Sequence, residues 1–299
     1  MEGRVVGGGP TGFTLACDLL ARGVGVRIVD KASGPATTSR ALGLHPRGIE
    51  VLDRAGALGD LEQRANPIRQ VVIDHGGRRP AHLRLGQTTK LVTRPGLLIS
   101  QADIEGSLRA RLGGLGGAVE WGQELLHASQ DADGVRVQLT AGSAACHWTV
   151  GCDGAHSRVR KSAGIGFPGV QDVERVLLAD VLADLPMPRD AASVWLHGTE
   201  MLGAFPLPGQ DLWRLMAPAP GGTPGDLSPQ EVLNLLTGQR HVRSGCHLSR
   251  VPEPRWPSPF RTHPPRAAPH RHVAPPVSCH GPRPATPPPR PRLRATNAR

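Results

Sequence analysis

Gly7-Gly8-Gly9-Pro10-Thr11-Gly12 lies between a short apolar strand and a helical pattern, and an acid, Asp30, closes the strand that follows. That order is the layout of a dinucleotide-binding βαβ unit. In such a GxGxxG turn Gly7 permits the tight bend, Gly9 lets the backbone approach a pyrophosphate, and Gly12 lets the helix pack closely on the strand. The helix N-terminus then faces the phosphates with unpaired N–H groups and the positive end of its dipole. Leu15, Ala16, Leu19 and Leu20 recur at helical spacing, and Val26, Ile28 and Val29 supply the second strand. An acid at position 30 can bind adenosine ribose hydroxyls. Gly3 and Arg4 stand where a buried central strand should carry apolar side chains, which predicts a short or frayed first strand.

A second motif begins where residues 147–160, HWTVGCDGAHSRVR, run from a short apolar strand into Asp153-Gly154 and then into a basic, hydroxyl-bearing turn. Two further stretches accompany it: SRALGLHPR from Ser39 to Arg47, and ISQADIE from Ile99 to Glu105. In the latter, Ser100 and Asp103 have the spacing of a capping box, and Ile104, Leu108 and Leu112 form an apolar row.

Taken together these motifs resemble the class A flavoprotein monooxygenases, the FAD-dependent aromatic hydroxylases related to p-hydroxybenzoate, phenol and polyketide hydroxylases. The resemblance runs over residues 1 to about 250, and DGxxSxVR from Asp153 to Arg160 is its most selective part. It implies that Gly7, Gly9, Gly12 and Asp30 hold the ADP half of FAD, and that Asp153 and Gly154 contact FAD and the passing NAD(P)H. By the same matching, Arg40 is a partner of the FAD phosphates and Gln101 a polar contact to the cofactor. A guanidinium offers a planar fork of donors suited to phosphate oxygens.

The chemistry implied is reduction of FAD by NAD(P)H as a transient reductant, addition of dioxygen to give a flavin hydroperoxide, and oxygen transfer to an aromatic or polyketide-like small molecule. The cofactor carries that reactivity, and the protein must hold flavin and substrate in register and exclude water. The chain has no Tyr, which excludes a tyrosine relay. His45 and His197 are candidate bases without further support, so no catalytic side chain is assigned.

The expected fold is α/β: a Rossmann-like FAD-binding domain (1–67 and 99–170) interleaved with a β-rich substrate domain (68–98 and 171–250). Alternation on both sides of Gly76-Gly77 predicts a hairpin, and 101–112 a helix. Strands are expected at 118–121, 124–128, 134–139 and 147–152, with more in VLLADVLADL and around Trp195 and Trp213. Ser228, Pro229 and Glu231 predict a further helix start. After about residue 250 the pattern ends. Fifteen of the last 49 residues are proline, and apolar residues are too sparse for a core, so 251–299 reads as a disordered Pro/Arg-rich tail. The family resemblance implies a third fingerprint here, GDAAH, whose Asp binds the ribityl chain of FAD. Neither Gly59-Asp60 nor Gly225-Asp226 follows a strand as that motif should. A truncated or frame-shifted, inactive relative that retains only ADP or FAD binding is therefore the alternative reading.

The tail holds nine Arg, no Lys and one acid, Glu253, so it carries +8 of the chain's net +10 and leaves the body nearly neutral. Such a balance does not imply a nucleic-acid partner, and the tail has too few aromatics to stack on bases. The five cysteines show no paired metal spacing and read as reduced thiols. No apolar run of membrane-spanning length occurs, and no secretory signal is recognised, so no membrane contact and a cytoplasmic location are expected. The expected partners are a small aromatic substrate and dioxygen; oligomeric state stays open.

Overall fold

A computed structural model describes residues 2–36, 42–75, 78–85, 94–169, 176–182, 185, 187–197, 200–219, 226–227, 260–261 and 292–295. In chain order the elements are β1 (Glu2–Val6), α1 (Pro10–Ala21), β2 (Gly25–Asp30), β3 (Gly43–Leu44), α2 (Pro46–Arg54), α3 (Leu61–Arg64), β4 (Asn66–Ile68), β5 (Gln70–His75), β6 (Arg78–Arg84), β7 (Gly96–Leu98) and α4 (Gln101–Gly114). There follow β8 (Val119–Trp121), β9 (Leu125–Gln130), β10 (Val135–Leu139), β11 (Gly142–Cys146), β12 (Trp148–Gly151), α5 (Arg158–Ser162), β13 (Val176–Leu182), β14 (Ala191–His197), β15 (Glu200–Pro206), β16 (Leu212–Pro218), β17 (Asp226–Leu227), β18 (Phe260–Arg261) and β19 (Arg292–Ala295). The chain divides into two compact units, one of 1–36, 108–170 and 267–299, the other of 37–107 and 171–266.

The first unit is built on a five-stranded parallel sheet in the order β19-β12-β1-β2-β8. β1 is its centre. The expected short or frayed first strand is not what forms: β1 pairs from Glu2 with β2 and from Gly3 with β12. Backbone pairing on both sides holds the strand despite its sequence, at the cost of burying Arg4, which is 3% exposed and has no hydrogen-bond partner at Nε. A three-stranded antiparallel meander, β9-β10-β11, shares a core with one face of the sheet, joining Val6 and Val29 to Leu125, Val135, Val137 and Leu139. The alternation in β10 is as expected, with its apolar residues buried and Arg136 and Gln138 exposed.

Pro10 starts α1 at its first turn, where a missing N–H costs nothing. Phe13, Ala16 and Cys17 are fully buried, whereas Leu15, Leu19 and Leu20 are half-buried. The helix stops at Gly23, whose φ of +74 allows its N–H and that of Val24 to bond back to Leu20 and Leu19. Burial pushes the Cys17 thiol pKa upward, with Arg111 opposing, and the Sγ lies against the Leu108 carbonyl oxygen, so this cysteine serves packing.

The second unit carries a six-stranded sheet ordered β13-β16-β15-β14-β5-β6. The expected hairpin is present as antiparallel β5 and β6, although Gly76 and Gly77 lie outside the described residues. One sheet face packs Leu177, Val181, Leu202, Trp213 and Leu215 into a core. Arg189 sits over the Trp213 ring and donates to the carbonyls of Leu207, Gly209 and Leu212, tying the β15–β16 turn. Its burial lowers its pKa, with Asp211 opposing. Arg214 and Asp180, opposite one another on β16 and β13, form a buried two-bonded ion pair at 2.6 and 2.8 Å. A small sheet, β3-β7-β4, completes the unit.

α4 buries Ile104, Leu108 and Leu112 as its spacing predicts, but the capping box does not form. The Asp103 carboxylate pairs with Arg64 at 3.0 Å, and Ser100 Oγ accepts from the Ala102 N–H at 3.2 Å. The helix expected at Ser228 lies outside the described residues, as does the expected disorder of 251–299 except at β18 and β19. β19 adds a strand beside β12, from Trp148 opposite Arg292 to Gly151 opposite Ala295. No helix among the described residues is long and apolar enough to cross a membrane.

Replacing a buried guanidinium that lacks partners with an apolar side chain of similar length removes a desolvation cost. Arg4→Leu is accordingly expected to stabilise the chain by about 1–3 kcal/mol, read as a higher denaturation midpoint in urea; an unchanged or lower midpoint contradicts the burial of Arg4.

Candidate functional site

The C-terminal ends of β12, β1 and β2 finish level. Val6 of β1 stands opposite Gly151 on one side and Val29 on the other. The Gly7 N–H then donates to the Val29 carbonyl at 2.9 Å, and the Cys152 N–H donates to the Val6 carbonyl at 2.7 Å. At this point the chain leaves β1 for α1 while the neighbouring strands depart elsewhere. Open parallel sheets bind ligands in such a crevice outside their carboxyl ends.

Three glycines in this turn answer to different constraints. Gly7 has φ +111, and a Cβ there would run into the Cys152 carbonyl; a Cβ on Gly12 would run into the Gly7 carbonyl oxygen. Both are required by the protein's own backbone. Gly9 differs: its backbone is extended, and a Cβ built there meets nothing within 4 Å. Nothing in the fold demands glycine at position 9, and the space in front of it is open. Gly9 is also the N-cap of α1, and no side chain caps the first turn, which leaves its amide edge for a ligand.

Asp30 holds this turn from the end of β2. Its Oδ2 accepts from the Gly8 N–H at 2.6 Å and its Oδ1 from the Ala32 N–H at 2.7 Å. A carboxylate oxygen accepts more than one bond, so these contacts leave capacity for hydroxyl donors.

Asp153 and Gly154 follow β12 at the same edge of the sheet. Asp153 Oδ2 accepts from the Arg158 N–H at 2.6 Å and from the Val159 N–H at 3.3 Å, capping α5 together with Ser157, whose Oγ accepts from the Arg160 N–H at 2.9 Å. Its other oxygen, Oδ1, is buried without a hydrogen-bond partner. Gly154 has φ +75, and a Cβ there would meet nothing within 4 Å. Arg160 donates to the Ala155 carbonyl at 2.8 Å and stacks on the Phe167 ring at 4.5 Å, closing the loop. The capping role of Asp153 and Ser157 was missed in the sequence reading; its signal is an acid and a serine shortly before a basic helical turn.

The remaining site candidates belong to the second unit. Gln101 is the first residue of α4, and its Nε2 donates at 2.7 Å to Oε1 of Glu105, a carboxylate only 5% exposed. Glu105 was not singled out by sequence, although a Gln and a Glu at i and i+4 share a helix face. Arg40 lies outside the described residues, as does the His197 side chain. His45 is the N-cap of α2 but makes no capping bond with its side chain. Among the described residues no cluster of His, Cys, Asp or Glu could hold a metal ion.

Removing one cap at α5 tests this account of the second motif. Ser157→Ala is expected to cost about 1 kcal/mol in a urea titration, and a variant as stable as the parent would show that the Arg160 N–H needs no side-chain acceptor.

Comparison with known proteins agrees with this geometry. Residues 2–237 match the family model described as FAD binding domain. The chain is 35% identical over 265 residues to 6-methylpretetramide 4-monooxygenase of Streptomyces rimosus, covering 86% of this chain and 46% of that protein. It is 33% identical over 263 residues to rifampicin monooxygenase of Streptomyces venezuelae, covering 86% and 53%. It therefore spans about half the length of these curated relatives. The crystal structure of p-nitrophenol 4-monooxygenase from Pseudomonas putida DLL-E4 superposes with a TM-score of 0.70 at 28% identity, over 85% of this chain and 66% of that one. FAD also fits what the structure shows: an open approach at Gly9, an uncapped helix start, and the orphaned acceptor Asp153 Oδ1 on one edge of the sheet. The chain thus belongs to the FAD binding domain family.

Proposed function

We propose that this chain acts as an FAD-dependent, NAD(P)H-consuming monooxygenase on an aromatic or polyketide-like small molecule. The observation that carries the reading is the contrast within the glycine turn, where Gly7 and Gly12 are filled by backbone and Gly9 faces open space. In this reading the turn from Gly7 to Gly12 and the start of α1 hold the pyrophosphate. Asp30 binds the adenosine ribose while keeping the turn in place through Gly8. Asp153 Oδ1 takes a hydroxyl donor, since an ionised carboxylate can only accept. Gly154, Arg40 and Gln101 are further cofactor contacts, as the resemblance implies.

When bound, FAD supplies electron transfer from NAD(P)H and activation of dioxygen. The chain's part is to position ring and cofactor and to keep water away. The relatives' names support the substrate class: they are monooxygenases of 6-methylpretetramide, rifampicin and p-nitrophenol. No side chain is assigned as a catalytic base. A cytoplasmic location accompanies the reading.

Flavin content and turnover test the proposal. Purified chain is expected to bind FAD and, with a phenolic substrate panel, to oxidise NAD(P)H faster and to incorporate one atom of labelled dioxygen into product. FAD or ADP binding without incorporation would favour the alternative, a relative that retains nucleotide binding alone. Binding of neither would overturn both.

The glycine contrast yields a sharper test. Gly9→Val is expected to cost at most about 1 kcal/mol of stability, from the lost N-cap preference, yet to weaken ADP and FAD binding at least about tenfold, or about 1.4 kcal/mol. Gly12→Ala should instead lower the melting temperature. Calorimetric titration and thermal melts separate the two, and undiminished ADP affinity in Gly9→Val would remove the site from this turn.

A further inference from the structure

We infer that β19 is a positioning strand for the nucleotide edge: its seat beside β12 holds Gly151, Cys152 and Asp153 where a bound nucleotide needs them. The inference rests on the proposed binding of ADP and FAD at this edge. A segment in which fifteen of 49 residues are proline has few stretches able to join a sheet, because proline has no N–H to give to a ladder. Pro287, Pro288, Pro289 and Pro291 crowd the approach, and residues 292–299 then form the longest proline-free run after residue 250. β19 falls in that run.

β12 has only four residues, and each is paired on both sides. Gly151, its last, stands opposite Val6 of β1 and Ala295 of β19. Next come the Cys152 N–H bond to the Val6 carbonyl, the Cys152 carbonyl that a side chain on Gly7 would strike, and then Asp153. β19 also lies against α5, whose first N–H groups Asp153 caps. It therefore supports both of the elements that Asp153 joins. Without β19, β12 would be a four-residue edge strand held through β1 alone. Short edge segments with few backbone bonds open at small free-energy cost. The exit from Gly151 to Asp153 is the part that would open, and with it the buried Oδ1 that has no hydrogen-bond partner. Nucleotide affinity would then fall in proportion to the fraction of chains whose edge is formed.

Prolines at two adjacent residues test this ladder. Successive residues of a strand point their N–H groups to opposite sides, so of Leu293 and Arg294 one donates toward β12 and the other away from it. β19 is the outer strand of its sheet, where an outward proline is tolerated. One of Leu293→Pro and Arg294→Pro is expected to weaken ADP binding about tenfold in calorimetric titration of the full chain, and the other to leave it within about twofold. By reciprocity, a strand that raises nucleotide affinity is itself held by nucleotide. Saturating ADP is therefore expected to slow tryptic cleavage of the parent after Arg292 and Arg294, relative to cleavage after Arg271. A strand that served stability alone would show no such response.

Parent-like ADP affinity in both proline variants, or cleavage after Arg292 and Arg294 that ADP does not slow, overturns the positioning role and leaves the nucleotide site in place. Equal weakening by both prolines overturns it too, since a ladder must distinguish them. If both variants fail to fold, proteolysis of the parent decides alone. A parent that binds no ADP instead refutes the proposed nucleotide edge, and this inference with it.

Discussion

Where β1 ends, three backbone segments approach closely enough that none of them tolerates a side chain on Gly7 or Gly12. The Cys152 carbonyl presses on Gly7, and the Gly7 carbonyl presses on Gly12. This contact aligns the exit of β1 with that of β12 and brings the first turn of α1 onto the sheet. It also explains why the glycine motif and the Asp153 motif, far apart in sequence, belong to one edge: the same carbonyl that forbids a side chain at Gly7 immediately precedes Asp153. A ligand edge built in this way is set by sterics of the main chain, which makes it insensitive to most surrounding side-chain changes and very sensitive to a methyl group at two positions.

Polar residues at this edge have a second duty. Asp30 bonds two backbone N–H groups, and Asp153 bonds two more at the start of α5. Such bonds satisfy main-chain donors that would otherwise be orphaned by the turns. They also fix the carboxylates before any ligand arrives, so that binding does not have to pay for ordering them. Asp153 divides its two oxygens between these duties, one committed to the helix and one buried with no partner. Buried acceptors left unpaired by protein groups are costly, and a ligand hydroxyl or an ordered water at this edge would pair the Asp153 oxygen.

Features encoded over short distances were legible in the sequence. The glycine spacing, the alternation of Val135, Val137 and Leu139, and the row Ile104, Leu108 and Leu112 each reflect one local period, and each forms the expected face. What stayed hidden depends on partners distant in the chain. Arg4 argues against a full first strand when its side chain is taken alone, yet backbone pairing with β2 and β12 sustains the strand. The Ser100 and Asp103 spacing suggested a capping box, but Arg64 competes successfully for the acid. β19 was invisible to composition for a related reason: adding four residues to a sheet edge requires main-chain donors and acceptors, which a Pro- and Arg-rich segment still has between its prolines. The ion pair of Arg214 with Asp180 likewise needs the antiparallel register of β16 with β13 before either charge becomes meaningful.

Charge taken wholly or partly out of water is handled in two ways among the described residues. Asp180 and Arg214 neutralise one another through two short bonds across adjacent strands, an arrangement that serves the sheet. Asp153 and Glu105 have no cation within ion-pair distance among the described residues and rely on neutral N–H donors. A carboxylate held by neutral donors keeps more of its acceptor strength for a further partner than one already matched to a guanidinium. The two acids of the second kind stand in the motifs by which the chain resembles the flavin monooxygenases, whereas the matched pair stands in neither. Under the proposed function Asp153 keeps that strength for the cofactor, whereas Asp190, which accepts from Gln70 Nε2 at 2.7 Å outside these motifs, serves the sheet.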